Sequence, residues 1–259
     1  MSAPVTATID GNVGIIELSR PEKLNCLSLE VHECIAAARA EFEATRDVRA
    51  ILIRAQGKNF CTGADLTEVK EKLYDPVALD HFIGFGMENL RKLEQCPLPV
   101  IVAVQGLCLA GGIELMLAAD VCFAATTAQF GDQHAQFGLI PGWGGSQRLT
   151  RLMGQRRALD LMYSARWLKA DEAKEAGLVN YIVPDGDLHT AAQDYCQIVA
   201  TRSRLGIAEM KRLAREGADM SIDQQMRLER DAAVRALPSA DVAEGLDAFE
   251  KRRTPDFKQ

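Results

Sequence analysis

The sequence is poor in the features that mark membrane, secreted and metal-binding proteins. No apolar run approaches the ~20 residues that a membrane-spanning helix needs. The seven cysteines are scattered, and no two of them form a Cys-x-x-Cys pair. This pattern argues against a disulfide framework or a zinc site and favours a reducing compartment. The net charge of -6 gives no general attraction to nucleic acid or to anionic membranes, so neither is an expected partner.

Signals for targeting and for nucleotide binding are also missing. Residues 1–6 contain neither a basic segment nor an apolar one, so we expect a cytoplasmic protein. We find no Walker loop, no Gly-x-Gly-x-x-Gly after a strand, and no cluster of histidine and cysteine at metal spacing. The sequence therefore predicts no metal and no separate cofactor.

What is present is the composition of an ordinary globular protein, with 259 residues of which 47% are hydrophobic and 25% charged. Strand-like and helix-like segments alternate as far as Pro184, and the pattern from 187 to 251 is helical, with breaks expected near Gly206, Gly217 and Pro238. This order predicts an α/β core, residues 1–200, followed by a helical extension, residues 201–259. Apolar residues of the extension either pack on their own core or belong to a subunit interface; they include Ile207, Met210, Leu213, Met226, Leu228, Val234 and Leu246.

Periodicity and capping residues place the main elements. Strands are expected at residues 5–9 and 13–18, paired as a hairpin across residues 10–11, and at 100–104 and 179–183. Short buried strands are expected at 50–53 and 121–124. Helices are expected to begin at the capping residues Ser28, Asp65, Asp75 and Asp171. Three of the histidines are expected on helix surfaces, namely His32, His81 and His189.

Glu114 is a carboxylate inside an otherwise apolar run, residues 107–119. A strand-like stretch precedes this run, so the local order is strand, glycine turn, helix. Free N–H groups at a helix start favour negative charge, and Gly111 and Glu114, three residues apart, share one helix face. This arrangement suits a reaction that passes through an oxyanion. A buried glutamate that is satisfied by backbone groups would give the same pattern.

Several segments together resemble a known family. Residues 58–66 (KNFCTGADL), 105–114 (QGLCLAGGIE) and 129–149 occur in order between a start at 19–27 and an end at 248–257. In motifs and spacing, the chain resembles the crotonase, or enoyl-CoA hydratase/isomerase, superfamily over nearly its whole length. The resemblance implies an α/β fold, a spiral of ββα units with a C-terminal helical region that drives trimerisation, often to a dimer of trimers. It also implies acyl-CoA thioesters as substrates, with coenzyme A as part of the substrate.

The resemblance further implies an oxyanion hole made of two backbone N–H groups, which bind the thioester oxygen as it becomes an enolate. The family motif places these groups at Ala64 and Gly111. Removal of one such donor typically costs about 3 kcal/mol in the transition state. Ordinary turn geometry is the alternative explanation for Gly63 and Gly111.

Hydratases of this family place two carboxylates beside the substrate double bond. Glu114 matches the first of them, but His134 stands at the position of the second. A neutral imidazole can take a proton from water, and an imidazolium can give one to a carbanion. Asp132 and Gln133 lie in the same loop and could polarise His134 or contact the acyl group, although we expect Asp132 to be a solvated loop acid.

Three reactions remain open at this point: hydration of a 2-enoyl-CoA, C–C hydrolysis of a β-ketoacyl-CoA, and isomerisation. The isomerase hypothesis is weakened because isomerases of the family commonly rely on the position that His134 occupies. An acyl-CoA binding protein with lost catalysis is the non-enzymatic alternative. We predict hydration, in which Glu114 deprotonates water and His134 is its proton partner.

Binding positions also follow from the resemblance. Trp143 could narrow or floor the acyl pocket, or could simply belong to the core. Arg252 is expected to reach a CoA phosphate, often that of a neighbouring subunit. The remaining positions expected to contact the substrate or CoA are Lys23, Cys61, Thr62, Asp65, Phe249 and Phe257.

Overall fold

Two β-sheets organise the computed structural model, which describes residues 3–257. The strands are β1 (Val5–Asp10), β2 (Val13–Leu18), β3 (Ala50–Ala55), β4 (Val100–Val104), β5 (Leu107–Leu109), β6 (Val121–Ala125), β7 (Gln129–Gly131), β8 (Leu168–Lys169) and β9 (Tyr181–Val183). The larger sheet has the order β1-β2-β3-β4-β6-β9, and the smaller has the order β5-β7-β8. The last strand was predicted at residues 179–183. It begins only at Tyr181 and is therefore shorter than predicted.

The larger sheet is parallel except at its first edge. β1 and β2 form the predicted antiparallel hairpin, and each later neighbour pairs in parallel. A parallel sheet has both faces covered, so its strands are continuous apolar runs rather than alternating ones. This explains the sequences of β3 and β4, and α8 (Leu188–Ala200) packs against both of these strands.

The chain passes twice from the larger sheet to the smaller one and then into a helix. β4 is followed by β5 and α4 (Gly111–Leu117), and β6 is followed by β7, a 3-10 turn and α5 (Gly145–Met153). β5 and β7 are parallel neighbours in the smaller sheet. The start of α4 and the loop after β7 therefore lie side by side, which brings two distant sequence motifs together.

The remaining helices complete the layers around the sheets. They are α1 (Leu29–Ala44), α2 (Leu66–Lys72), α3 (Pro76–Gln95), α6 (Gln155–Ser164), α7 (Ala170–Glu175), α9 (Arg204–Gly217), α10 (Ile222–Ala236) and α11 (Ala240–Glu250). Ser28, Asp65 and Asp75 cap α1, α2 and α3 as predicted. The prediction for Asp171 is wrong. Lys169 is the N-cap of α7, and its N–H donates to Glu172 Oε2 at 2.9 Å.

The C-terminal part differs slightly from the prediction. The break expected near Gly206 lies at residues 201–203, and Gly206 belongs to the first turn of α9, where its N–H donates to Ser203 Oγ at 2.9 Å. The division into residues 1–200 and 201–259 stays a prediction, and residues 258 and 259 lie outside the described part of the chain. Within residues 3–257, no helix has the length and apolar character needed to span a bilayer.

Candidate active site

The loop after β3 is fixed on two sides. Leu27 N donates to Gly63 O and Asp65 N donates to Leu27 O, both at 2.8 Å. These two bonds use the backbone atoms on either side of Ala64, so the N–H of Ala64 itself points away from Leu27. Cys61 pairs in the same way with β5, through Leu109 N donating to Cys61 O at 2.9 Å. The loop therefore presents the Ala64 N–H toward the start of α4.

The start of α4 approaches this N–H closely. A Cβ on Gly111 would lie 3.3 Å from the Ala64 nitrogen, and a Cβ on Gly63 would lie 3.3 Å from the Gly111 nitrogen. Within residues 3–257, neither the Ala64 N–H nor the Gly111 N–H donates a hydrogen bond. Ala110, just before the helix, has φ 48° and ψ -118°, uncommon for a residue with a Cβ. The geometry thus offers two unengaged donors in one place.

Glu114 lies beside these donors and is 2% exposed. Its Oε1 accepts from Trp143 N at 2.7 Å and from Gly145 N at 2.8 Å. Burial raises the pKa of Glu114, and this effect exceeds the opposing effects of the two N–H donors and of nearby His134. Backbone groups therefore satisfy one carboxylate oxygen, and the other oxygen remains available for proton transfer.

His134 faces that second oxygen. Its Nε2 lies 3.9 Å from Glu114 Oε2, and its Nδ1 lies 3.0 Å from Asp132 Oδ1. Burial would lower the pKa of His134, but the hydrogen bond and charge of Asp132, with the charge of Glu114, outweigh it and raise the pKa. The contact with Asp132 thus orients the imidazole so that Nε2 faces Glu114.

Asp132 is not the solvated loop acid that we expected from the sequence, because it is only 2% exposed. Its Oδ1 also accepts from the backbone N of His134 at 3.2 Å. The spacing of an aspartate two residues before a histidine was the available signal for this turn. Gln133 instead donates its Nε2 to Ala165 O at 2.6 Å, and so is bonded away from His134.

Trp143 closes the space between α4 and α3. It is 2% exposed. A Cβ on Gly111 would lie 2.6 Å from its Cζ3, and a Cβ on Gly86 would collide with its Nε1. The indole therefore spans from the start of α4 to α3, with the Phe82 ring 5.5 Å away between centroids. Trp143 is both a core residue and a wall beside the two N–H donors.

His32 is fully buried, so its predicted place on a helix surface is wrong. Its ring lies 4.6 Å from that of Trp143, and its Nδ1 lies 3.3 Å from Asn89 Nδ2. Burial lowers the pKa of His32 to about 4, so its imidazole is neutral. The three-residue spacing to buried Ile35 was the signal for this position. His81 is exposed as expected, and His189 is half-buried.

Comparison with known proteins identifies the family. A family model described as "Enoyl-CoA hydratase/isomerase" matches residues 8–259. The chain belongs to the enoyl-CoA hydratase/isomerase family. It is 36% identical over 249 residues to "Probable enoyl-CoA hydratase echA8" of Mycobacterium tuberculosis, covering 96% of this chain and 95% of that protein. It is 32% identical over 258 residues to the 1,2-epoxyphenylacetyl-CoA isomerase of Escherichia coli, covering 98% and 97%.

Solved structures confirm the crotonase fold predicted from the motifs. The crystal structure of an enoyl-CoA hydratase from Polaromonas sp. JS666 has a TM-score of 0.95 at 30% identity, covering 98% of this chain and 99% of that one. The enoyl-CoA hydratase from Bacillus anthracis has a TM-score of 0.93 at 32% identity, covering 98% and 99%. Membership of a family that contains both hydratases and isomerases leaves the reaction to be argued from the site.

Two of the residues expected to contact CoA serve the fold of this family member. Asp65 Oδ2 accepts from Arg20 Nη2 at 3.1 Å, and its Oδ1 accepts from Thr67 N at 3.1 Å. Its carboxylate is thus engaged in capping α2. Cys61 is fully buried, and burial raises the pKa of its thiol to about 12. Thr62 is half-buried in the same loop. Lys23 is exposed in the turn that leads to Leu27.

The C-terminal candidates lie elsewhere. Phe249 and Arg252 are exposed near the end of α11, and Phe257 O accepts from Arg49 Nη2 at 3.1 Å. Arg49 immediately precedes β3, whereas the Ala64 loop follows it. Six residues of parallel strand span about 20 Å. Phe257 therefore contacts the residue just before β3 begins, whereas the Ala64 loop leaves the other end of this strand.

No metal centre accompanies the site in the part of the chain that the structure describes. There, no group of three histidine, cysteine, aspartate or glutamate side chains is arranged to hold an ion. The polar chemistry of the site consists of the Glu114 carboxylate, the His134 imidazole with Asp132 behind it, and the two backbone donors.

Proposed function

We propose that the protein adds water across the double bond of a 2-enoyl-CoA and forms a 3-hydroxyacyl-CoA through a thioester enolate. The observation that carries this proposal is the meeting of two unengaged N–H groups, at Ala64 and Gly111, beside the pair Glu114 and His134. Preorganised donors of this kind stabilise the negative oxygen that develops when a nucleophile adds to the β-carbon.

The two side chains divide the proton transfers. Glu114 Oε2 accepts a proton from water as the water oxygen bonds to the β-carbon and the π electrons move to the thioester oxygen. The raised pKa of Glu114 supports this role, because a base that is poised nearer to neutrality transfers protons more efficiently. The imidazolium of His134 then donates a proton to the α-carbon, and its raised pKa supports this protonation state.

The catalytic cycle closes by returning one proton. After addition, Glu114 holds the proton from water and His134 is neutral. The 3.9 Å between Glu114 Oε2 and His134 Nε2 gives a short path for restoring both groups. Asp132 keeps Nδ1 protonated throughout, so Nε2 is the nitrogen that exchanges the proton.

A second candidate is favoured by the Asp132–His134 contact at 3.0 Å. A neutral His134 backed by this carboxylate can activate water for attack on the ketone of a β-ketoacyl-CoA. The C–C bond then breaks, and the same two N–H groups receive the enolate that leaves. This reaction also gains one water, but it splits the carbon skeleton or opens a ring.

The proposal includes assembly into a homotrimer or a dimer of trimers, with an acyl-CoA as the small-molecule partner. The exposed apolar side chains of the C-terminal helices support this assembly. So does the separation of Phe257 from the donors of its own chain, because a CoA that meets these C-terminal residues would belong to a neighbouring subunit.

Crotonyl-CoA provides the direct test. Hydration removes the ultraviolet absorbance of the conjugated thioester, and mass spectrometry detects a gain of one water with an intact skeleton. Glu114→Gln should abolish the change, whereas His81→Ala, at an exposed histidine, should match the wild type. Survival of crotonyl-CoA and of longer or branched enoyl-CoAs, with cleavage of a β-ketoacyl-CoA, would establish the hydrolase instead. Tight binding without turnover of any ester would indicate a binding protein.

Substitutions at His134 separate proton transfer from packing. His134→Ala should lower turnover by about 100-fold or more, and His134→Glu should recover part of it by supplying another ionisable group. Unchanged turnover in the alanine variant would remove His134 from the mechanism. Asp132→Asn should lower kcat with little change in KM, because it disturbs the tautomer of His134 rather than substrate binding.

A further inference from the structure

The loop before α5 is held from outside by an arginine. Arg148 Nη1 donates to the carbonyl of Trp143 at 2.6 Å. The two flanking peptide groups carry the N–H groups of Trp143 and Gly145, which are the two that bond Glu114 Oε1. The peptide group that Arg148 contacts thus lies between the two donors that hold the carboxylate.

Gly144 makes this contact possible. Its φ is 98°, a conformation that favours glycine, and a Cβ at this position would collide with Arg148 Nη1. A glycine with this freedom does not fix the loop by itself. The contact with the guanidinium supplies a constraint that the local sequence lacks.

Arg148 is in turn held by a chain of ion pairs. Its Nη2 donates to Glu94 Oε2 at 3.2 Å, and Glu94 Oε1 accepts from Arg215 Nη1 at 2.7 Å. The side chains of Arg148 and Glu94 are 12% and 13% exposed, so this pair is less screened than a surface pair. Burial opposes the charge of Glu94, but Arg148 and its other partners prevail and lower its pKa, so it remains ionised. Arg215 lies on α9, which links the C-terminal helices to the loop.

A large cavity runs along these residues. It has a volume of about 880 Å³ and lies between α3, α5 and α9, with Trp143, Gly144 and Arg148 on one wall. Glu114 and His134 are not among its lining residues. The cavity thus borders the part of the loop that contains the Arg148 contact.

We propose that Arg148 is a positioning residue for Glu114. It orients the peptide between Trp143 and Gly144 so that the flanking N–H groups hold Oε1, which leaves Oε2 directed toward His134. Through Glu94 and Arg215, the same contact connects the first C-terminal helix to the active site. The consequence for turnover rests on the proposed function, in which Glu114 is the base, but the geometric claim does not.

The two N–H donors determine the direction in which the pKa of Glu114 should change when Arg148 is removed. The N–H groups of Gly145 and Trp143 stabilise the ionised carboxylate and so lower the pKa of Glu114 against the effect of burial. The ionisable groups that face Glu114 are His134, whose positive charge acts in the same direction, and Asp132, whose negative charge opposes it. Removal of Arg148 loosens the two donors, so the pKa of Glu114 should rise further.

The primary test measures the titration of Glu114 by carbon-13 NMR of its carboxyl group, with Glu114→Gln used to assign the signal. Arg148→Ala should move the midpoint upward by about one unit, the equivalent of part of one charged hydrogen bond. Arg148→Lys should restore part of the shift. Arg151→Ala is the matched control, because Arg151 lies one turn further along α5 and pairs with exposed Asp219. Glu114 in this variant should titrate as it does in the wild type.

Kinetics provides the second readout. Arg148→Ala should lower kcat for crotonyl-CoA by about 10- to 100-fold with little change in KM, and should move the acid limb of the pH–rate profile to higher pH. Arg215→Ala should act in the same direction but more weakly, because Glu94 keeps its contact with Arg148.

The outcomes are distinct. A Glu114 midpoint that is equal in Arg148→Ala, Arg148→Lys and the wild type would overturn the inference. If the alanine variant does not fold, the lysine variant and Arg215→Ala carry the same comparison. If the wild type hydrates no enoyl-CoA, the proposed function fails, while the titration still decides the role of Arg148.

Discussion

The larger sheet and the C-terminal helices use apolar residues in opposite ways. Nearly every apolar side chain of β3 and β4 is completely buried. In α9, α10 and α11, by contrast, many apolar side chains are exposed, among them Met210, Ile222, Met226, Val234, Leu246 and Phe249. An exposed apolar surface of this extent usually marks an interaction site. The sheet is thus complete within one chain, whereas the C-terminal helices expose the apolar surface on which the proposed assembly rests.

Buried polar residues are also distributed unevenly between the two regions. Among residues 3–257, the buried polar or charged residues are Asn25, His32, Asp65, Asn89, Glu114, Asp132, Gln133 and Asp241. All but Asp241 precede residue 134, and Glu114, Asp132 and Gln133 lie on α4 or in the loop after β7. Part of this departure from core composition therefore lies where chemistry is proposed, as expected when local rules are broken for function.

A pair of phenylalanines should show the largest difference between the two regions. Phe42 is 1% exposed and Phe249 is 82% exposed. Phe42→Ala should lower the free energy of unfolding by about 3–5 kcal/mol through loss of buried area and creation of a cavity. Phe249→Ala should change it by less than about 0.5 kcal/mol in the dissociated chain. Urea denaturation at low protein concentration measures both, and equal losses would contradict the contrast.

Trp143 offers a sharper test within the core. Trp143→Ala should open the space between α4 and α3, because the indole spans it. The ratio of kcat/KM for a C8 enoyl-CoA to that for crotonyl-CoA should rise by roughly tenfold or more. Trp167→Ala, at a partly exposed tryptophan, is the control and should leave this ratio unchanged. A wild type that already prefers C8 would show that the acyl chain leaves by another route.

Assembly should respond to charge on the C-terminal helices. Val234 is exposed on α10, and Val234→Glu should weaken self-association by about tenfold or more, because an unpaired charge would be buried at the contact. Sedimentation velocity over a range of concentrations measures this change. Tyr74→Glu, at an exposed residue outside these helices, should sediment like the wild type. A wild type that remains monomeric at all concentrations would refute the assembly.

The smallest expected effect is the contribution of Glu114 to the pH dependence of stability. Its pKa is raised in the folded protein, so its contribution to stability is fully present below the pKa of the unfolded state, ~4.3, and is lost as pH rises through the folded value. The amide that replaces the carboxyl group in Glu114→Gln does not titrate. The melting temperature of the variant should therefore match or approach that of the wild type near pH 4 and exceed it increasingly at higher pH. A difference that is independent of pH would contradict the raised pKa.

The sequence allowed much of the fold and the composition of the site to be predicted. The order of motifs predicted the crotonase fold, which the solved structures confirm, and capping residues located three helices correctly. Glu114, His134, Ala64 and Gly111 do lie together, although their roles stay predictions. These successes share a cause, because motifs and caps depend on residues that are close in the chain.

The failures depend on contacts that are distant in the chain. His32 is buried by α3 and Trp143, and Asp132 is buried by the packing of the loop after β7, so neither burial can be derived from neighbouring residues alone. Arg148 resembles any helix-surface arginine in the sequence. Its contact with the Trp143 carbonyl becomes visible only when the glycine turn and α5 are placed together.

The strand order of the larger sheet has a consequence for biosynthesis. Each strand joins the edge left by the strand made before it, from β1 to β9. The sheet can therefore grow on the ribosome as the nascent chain emerges. The edge of β6 stays unpaired until β9 has been synthesised. β9 begins at Tyr181, 56 residues after β6 ends at Ala125. At about 5–20 residues per second, this edge is unpaired for roughly 3 to 11 seconds, an interval in which it can pair with another chain.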